Sequence, residues 1–136
     1  MRPELEHAAR TGDVEAVEAQ LKAGVPVDSL DSHGQTPLML AAHHGCPGVV
    51  DCLVRHGANL DLTAKYGLSA LMLAIVARHQ AVAYALVRAG ADLTIRGTGA
   101  PGFFGRSAYD LAAEQGMEEL CTEISARRRA AADREP

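Results

Sequence analysis

The chain has no tryptophan, and its three tyrosines and two phenylalanines amount to only 4% of 136 positions. A core must therefore be built from alanine, leucine and valine, which suits thin helices packed close together. Cysteine is scarce: Cys46, Cys52 and Cys121 are an odd number without framework spacing, which argues against a disulfide scaffold. No run reaches the roughly 18 apolar residues that a membrane helix requires. The opening Met1-Arg-Pro-Glu-Leu-Glu-His lacks the apolar stretch of a signal peptide. Basic residues are not in excess either: 13 Lys and Arg stand against 17 Asp and Glu, for a net charge of −4. That balance argues against a nucleic-acid partner, which needs clustered positive charge. The basic run Arg127-Arg128-Arg129 is expected at the end of the last helix, where it complements the helix dipole. Lysine is nearly missing, with Arg outnumbering it 11 to 2, as expected of a GC-rich bacterial coding source. The expected setting is reducing, soluble and cytoplasmic, with no membrane partner.

What the chain does have is self-similarity. Gly34-Gln-Thr-Pro-Leu-Met-Leu-Ala-Ala returns 33 residues later as Gly67-Leu-Ser-Ala-Leu-Met-Leu-Ala-Ile, and again as Gly105-Arg-Ser-Ala-Tyr-Asp-Leu-Ala-Ala. A second marker keeps the same spacing: Lys22-Ala-Gly24-Val, Arg55-His-Gly57-Ala and Arg88-Ala-Gly90-Ala. A period of this size means a stack of similar small units. Such stacks present a long surface to a partner more often than they do chemistry.

One unit can be read residue by residue. Asp31-Ser-His-Gly34 is turn chemistry. Thr36 offers a side-chain oxygen as helix N-cap, and Pro37 fits the first helical position because its missing N–H had no partner there. Leu38, Leu40, Ala41 and Ala42 carry a short apolar helix that stops near Gly45. Pro47 opens a second helix, with Val49, Val50, Leu53 and Val54 at helical spacing, and Gly57 closes it. Helices this short are marginal alone, so each apolar face must lean on the next unit.

The pattern assigns four units, at 1–30, 31–63, 64–96 and 102–129, with an insertion at 97–101 and a disordered tail at 130–136. The first unit keeps charged outer positions, Glu4, Glu6, Glu15 and Glu18, as an end unit should. Polar ends around two apolar middle units describe a capped array.

The string Gly34-Gln-Thr-Pro-Leu-Met-Leu-Ala-Ala-His-His-Gly45, followed by Val49-Val-Asp-Cys-Leu-Val-Arg-His-Gly-Ala-Asn-Leu-Asp61, resembles the ankyrin repeat. The resemblance implies an all-α solenoid of helix-turn-helix units with projecting β-turn fingers. It also implies protein partners bound at the finger tips and along the concave face of the first helices, with no cofactor. This chain departs from the pattern in three places. Met39, Met72 and Asp110 stand where the family has a His linking one unit to the next, so Thr36, Ser69 and Ser107 are left as caps. Arg78 stands where Gly45 and Gly116 end first helices, which implies either local strain or a different helix end. Ala64 replaces the finger Asp, which should loosen that turn.

Carried over position by position, the resemblance gives two groups of contact residues. On the fingers they are Ser32, His33 and Gln35, then Lys65, Tyr66 and Leu68, then Phe103, Phe104 and Arg106. Along the concave edge they are Arg10 and Thr11, His43 and His44, Val76 and Ala77, and Glu114 and Gln115. Tyr66, Leu68, Phe103 and Phe104 are the sharpest of these, because exposed apolar and aromatic side chains anchor interfaces. The competing reading is that Phe103 and Phe104 fold back to pin the glycine-rich insertion. His33, His43 and His44 are expected to converge on one stretch of groove, either as ordinary surface histidines or as a pH-dependent site for an acidic partner.

His43, His44, Cys46, Cys52 and His56 are zinc-ligand types, but the repeat scatters them over helix end, turn and second helix, so neither a metal site nor a hydrolase is expected. Gly97-x-Gly99-x-x-Gly102 matches a dinucleotide fingerprint formally and lacks the strand and helix that the motif needs. Self-association through apolar fingers is the remaining alternative. The expectation is a non-enzymatic protein-binding module, monomeric in preference to homodimeric.

Overall fold

A computed structural model of the chain describes residues 1–99 and 102–134. Among these the helices are α1 (Pro3–Thr11), α2 (Val14–Lys22), α3 (Pro37–His44), α4 (Pro47–Arg55), α5 (Ala70–Val76), α6 (Gln80–Arg88), α7 (Ala108–Glu114) and α8 (Glu118–Arg134). The local grammar explains the starts. The side-chain oxygens of Thr36, Ser69 and Ser107 accept from the N–H groups of Met39, Met72 and Asp110 at 3.2, 3.3 and 3.2 Å. The departure at Asp110 has its own use: its carboxylate accepts from the Ser107 N–H, closing a reciprocal capping box.

The helices stack in two layers. First helices α1, α3, α5 and α7 pack in series, second helices α2, α4, α6 and α8 form the other layer, and each first helix packs on its own second helix. The repeat shows in the side chains as well. Ala8, Ala41, Ala74 and Ala112 hold one register position, and each is buried where successive first helices meet. A methyl group there lets the backbones approach closely. Leu5, Leu38 and Leu71, and on the second layer Leu53, Leu86 and Ile124, fill the space between. The middle pairs bury both layers more completely than the first pair does, as the sequence pattern predicts for an end unit.

The tail departs from expectation. α8 runs on to Arg134, so 130–134 are helical and the basic run at 127–129 lies inside the helix, where Arg127 pairs with Glu123 at 3.1 Å. Glu135 and Pro136 lie outside the described residues.

Candidate functional site

Each finger is closed at its base by a backbone bond between equivalent residues. The Asp31 N–H donates to the Gln35 carbonyl at 2.9 Å, and the Ala64 N–H to that of Leu68 at 3.1 Å. In the last finger the Gly97 N–H donates to the Arg106 carbonyl at 2.9 Å. The insertion therefore lengthens the finger of unit four, numbered by its unit as the fourth finger, between these two anchors, with Ala100 and Pro101 outside the described residues. In the second unit the Asp31 carboxylate also accepts from the N–H groups of His33 and Gln35, both at 2.8 Å. Ala64 has no such group to offer, and its finger keeps only the backbone bonds. Tyr66 in that finger takes a left-handed backbone, φ 64°.

The long finger lies against its shorter neighbour. The Thr98 N–H donates to the Tyr66 carbonyl at 2.6 Å, and the Phe103 ring meets the Tyr66 ring with centroids 5.6 Å apart. Arg96 braces the base by donating to the Gly105 carbonyl at 2.8 Å. The two phenylalanines thus divide the roles that the sequence left open: Phe103 is half-buried and pins the insertion, while Phe104 is 72% exposed. Tyr66 is 37% exposed, with the Lys65 ammonium 4.9 Å from its ring centre. Leu68 corrects the expectation of an exposed anchor: at 3% exposure it is core, because it stands at the base of the turn, beneath the Ala64 bond. Ser32, His33 and Arg106 are exposed and Gln35 is half-buried.

Along the ends of the first helices, Arg10, Thr11, His43, His44 and Glu114 are exposed, and Val76, Ala77 and Gln115 are half-buried. Arg10 pairs with Glu6 at 3.0 Å, and Arg106 with Glu114 at 2.8 Å across the last finger and α7. His43 and His44 meet edge to face, centroids 5.2 Å apart. The partner expected of them, His33, instead makes its contacts inside its own finger, with Ser32 and Asp31. His79 takes that place. Its Nε2–H donates to the His43 carbonyl at 3.0 Å, and its ring lies over Gly45. Burial pushes the His43 pKa below its usual value, assisted by the positive charge of His44, His79 and Arg10.

His79 matters structurally as well. It stands in the register position of Asp13 and Cys46, just before a second helix. Asp13 caps its own helix, accepting from the Ala16 N–H at 3.1 Å. Cys46 and His79 give up that cap and reach back one unit, the Cys46 thiol to the Arg10 carbonyl at 3.7 Å and His79 to that of His43. A second rung runs along the loops after the second helices: Asp28 accepts from the Asn59 N–H at 3.1 Å, and Asp61 from that of Asp92 at 2.7 Å. These links replace the one that Met39, Met72 and Asp110 cannot make. The 33-residue interval from Asp28 to Asp61 and from Cys46 to His79 was the signal available for finding them.

A family model for ankyrin repeats, in three copies, matches residues 5–97. The chain belongs to the ankyrin-repeat family. A search of the curated proteins finds no match to this chain. The matched ankyrin segment ends where the long finger begins, and the pair α7 and α8 continues the packing beyond it. Ankyrin repeats generally mediate protein–protein interactions and are typically non-enzymatic. Among the described residues no three His, Cys, Asp or Glu side chains are grouped to hold a metal ion. The Cys52 thiol is buried, and that burial raises its pKa, which leaves it an unreactive core group. A hollow of about 390 Å³ lined by Tyr109, Met117, Cys121 and Arg129 lies along α7 and α8, and no finger residue borders it. No helix among the described residues is long and apolar enough to cross a membrane.

Proposed function

We propose that this ankyrin-repeat protein is a non-enzymatic interaction module that binds one partner protein through its third and fourth fingers and the adjoining ends of its first helices. The observation that carries this reading is Phe104: a phenylalanine left 72% exposed on a finger that is otherwise pinned by Phe103, Thr98 and Arg96. Leaving such a ring in water wastes apolar area that burial would use, and an anchored loop loses little entropy when the ring is covered. Lys65 and Tyr66 on the neighbouring finger and Arg106 on its own add exposed amphipathic and cationic groups of the kind common at interfaces. The protein then acts as an inhibitor, adaptor or immunity factor for that partner, in the cytoplasm.

The test is capture of a partner from the native source by the wild-type chain and by Phe104→Ala. Loss of about 2 kcal/mol or more of affinity, roughly 30-fold, is expected of a central aromatic anchor. Capture unchanged in Phe104→Ala and in Tyr66→Ala would remove the fingers from the reading. Sedimentation at increasing concentration separates this from self-association, which would make the exposed ring a dimer contact.

A further inference from the structure

We propose that the edge formed by the first-helix ends of units one and two and the inter-helix turn of unit three receives an acidic segment of the partner, seated on Arg10, His43, His44 and His79 and held more tightly as these imidazoles take up protons. The proposal rests on the interaction-module reading and adds to it the chemistry of what is bound. Three imidazoles and a guanidinium from three successive units face the same edge, two of the imidazoles in edge contact and the third bonded to the backbone of the first. In a chain of net charge −4, this concentrates basic groups where an acidic segment would otherwise be repelled.

Charged and titratable groups face the cluster from four elements. From α1 comes Arg10, with Glu6 paired to it. From α3 itself comes His44, whose Nδ1–H donates to the Leu40 carbonyl at 3.0 Å. From the turn between α5 and α6 come His79 and Arg78, the latter donating to Gln115. From the turn before α4 comes Cys46, whose thiol is kept neutral by burial. Neither Asp51 nor Arg55 of α4 is among the charges that bear on His43. Among the described residues no carboxylate bears on His43, so its protonation adds positive charge to an edge where only Arg10 has a carboxylate to balance it, Glu6. An incoming carboxylate supplies that balance, relieves the mutual repulsion, and draws protons onto the rings.

His43 and His44 also close α3 at its C-terminus, where a cation is favoured in any case, while His79 stands at the N-terminus of α6. That role alone predicts titration indifferent to an added polyanion. The probe is a tetramethylrhodamine-labelled oligo-aspartate of about a dozen residues, whose carboxylates stay ionised across the histidine range. Binding is followed by anisotropy, and the imidazole resonances by NMR. Affinity should rise at least about tenfold between pH about 8 and about 6, the response to one linked proton. The His43 titration midpoint should move upward when the peptide is added. The double variant His43→Gln with His44→Gln, both surface positions, should lose most of the increase.

The proposal is overturned if affinity is the same at both pH values, or if the His43 midpoint stays put. It is equally overturned if binding survives the double variant and disappears when Arg127, Arg128 and Arg129 are changed to Gln. Phe104→Ala keeps the two readings apart, since it should spare the oligo-aspartate and weaken the captured partner. A partner that needs Phe104 yet binds without pH dependence would sink this inference and leave the interaction module standing.

Discussion

At the residue scale, three positions show what one side chain costs in a repeating frame. First helices end in a left-handed residue at Gly12, Gly45 and Gly116, and at the equivalent place Arg78 takes φ 66° with a side chain attached. The strain is about 1–2 kcal/mol. Changing Arg78→Gly removes it, at the cost of glycine's greater chain entropy and the surface bond to Gln115. A net gain near 0.5 kcal/mol is expected, a rise of a degree or two in unfolding midpoint. An unchanged or lower midpoint refutes the strain. Gly45→Ala runs the other way, because its new Cβ would lie 2.6 Å from the His79 ring as well as at φ 71°. Gly34→Ala is the control, with φ 74° and nothing near the added carbon. Thermal melts should place Gly45→Ala clearly below Gly34→Ala. Ala64→Asp would restore the two carboxylate bonds that Asp31 makes in its own finger, for a gain of about 1 kcal/mol. Slower amide exchange at Tyr66 and Leu68 is the specific readout.

At the scale of elements, the stack depends on how closely neighbouring first helices approach. Ala8, Ala41, Ala74 and Ala112 set that spacing. Ala74→Leu should therefore destabilise the array by about 1–3 kcal/mol through overpacking, measured as a lower denaturant midpoint. A neutral result would mean that the layers have room to move apart. The lengthened finger has a different logic, since it is secured on its neighbour. Phe103→Ala removes the ring that packs on Tyr66 and should expose the insertion to limited proteolysis with little effect on the midpoint. Phe104→Ala should leave the cleavage pattern unchanged.

At the scale of the molecule, the histidine edge proposed for binding also bears on stability. Burial and like charge lower the His43 pKa in the folded chain, so the unfolded chain holds that proton more tightly. Stability from this group is therefore complete above the ordinary histidine value of 6.5 and declines as pH falls through the lower folded value. Melts between about pH 7.5 and 5 should show that decline, and His43→Gln should reduce it. A second loss belongs to more acidic solution. The Asp110 carboxylate is held below its usual pKa, first by the Ser107 N–H, and its contribution goes as pH falls beneath 3.8. A flat profile in the variant and the wild type alike would show that the edge does not couple to folding.

The period, the helix starts and the helix pairing are all written locally. A Thr or Ser cap, an N-terminal proline and a turn glycine each act through bonds to neighbours a few residues away, and their recurrence every 33 positions fixes how the pairs stack. The family follows from that recurrence, whereas the bond that ties Asn59 to Asp28 of the preceding unit shows only in the structure. Which side chains remain outside was decided only in three dimensions. Leu68 and Phe104 are both apolar residues in fingers, yet one is core and the other is solvent, because Leu68 stands beneath the backbone bond that closes its turn and Phe104 stands beyond Phe103. His79 joins His43 across a unit boundary for the same reason: the partners of a long-range contact are chosen by how the layers pack, which no short window of sequence contains.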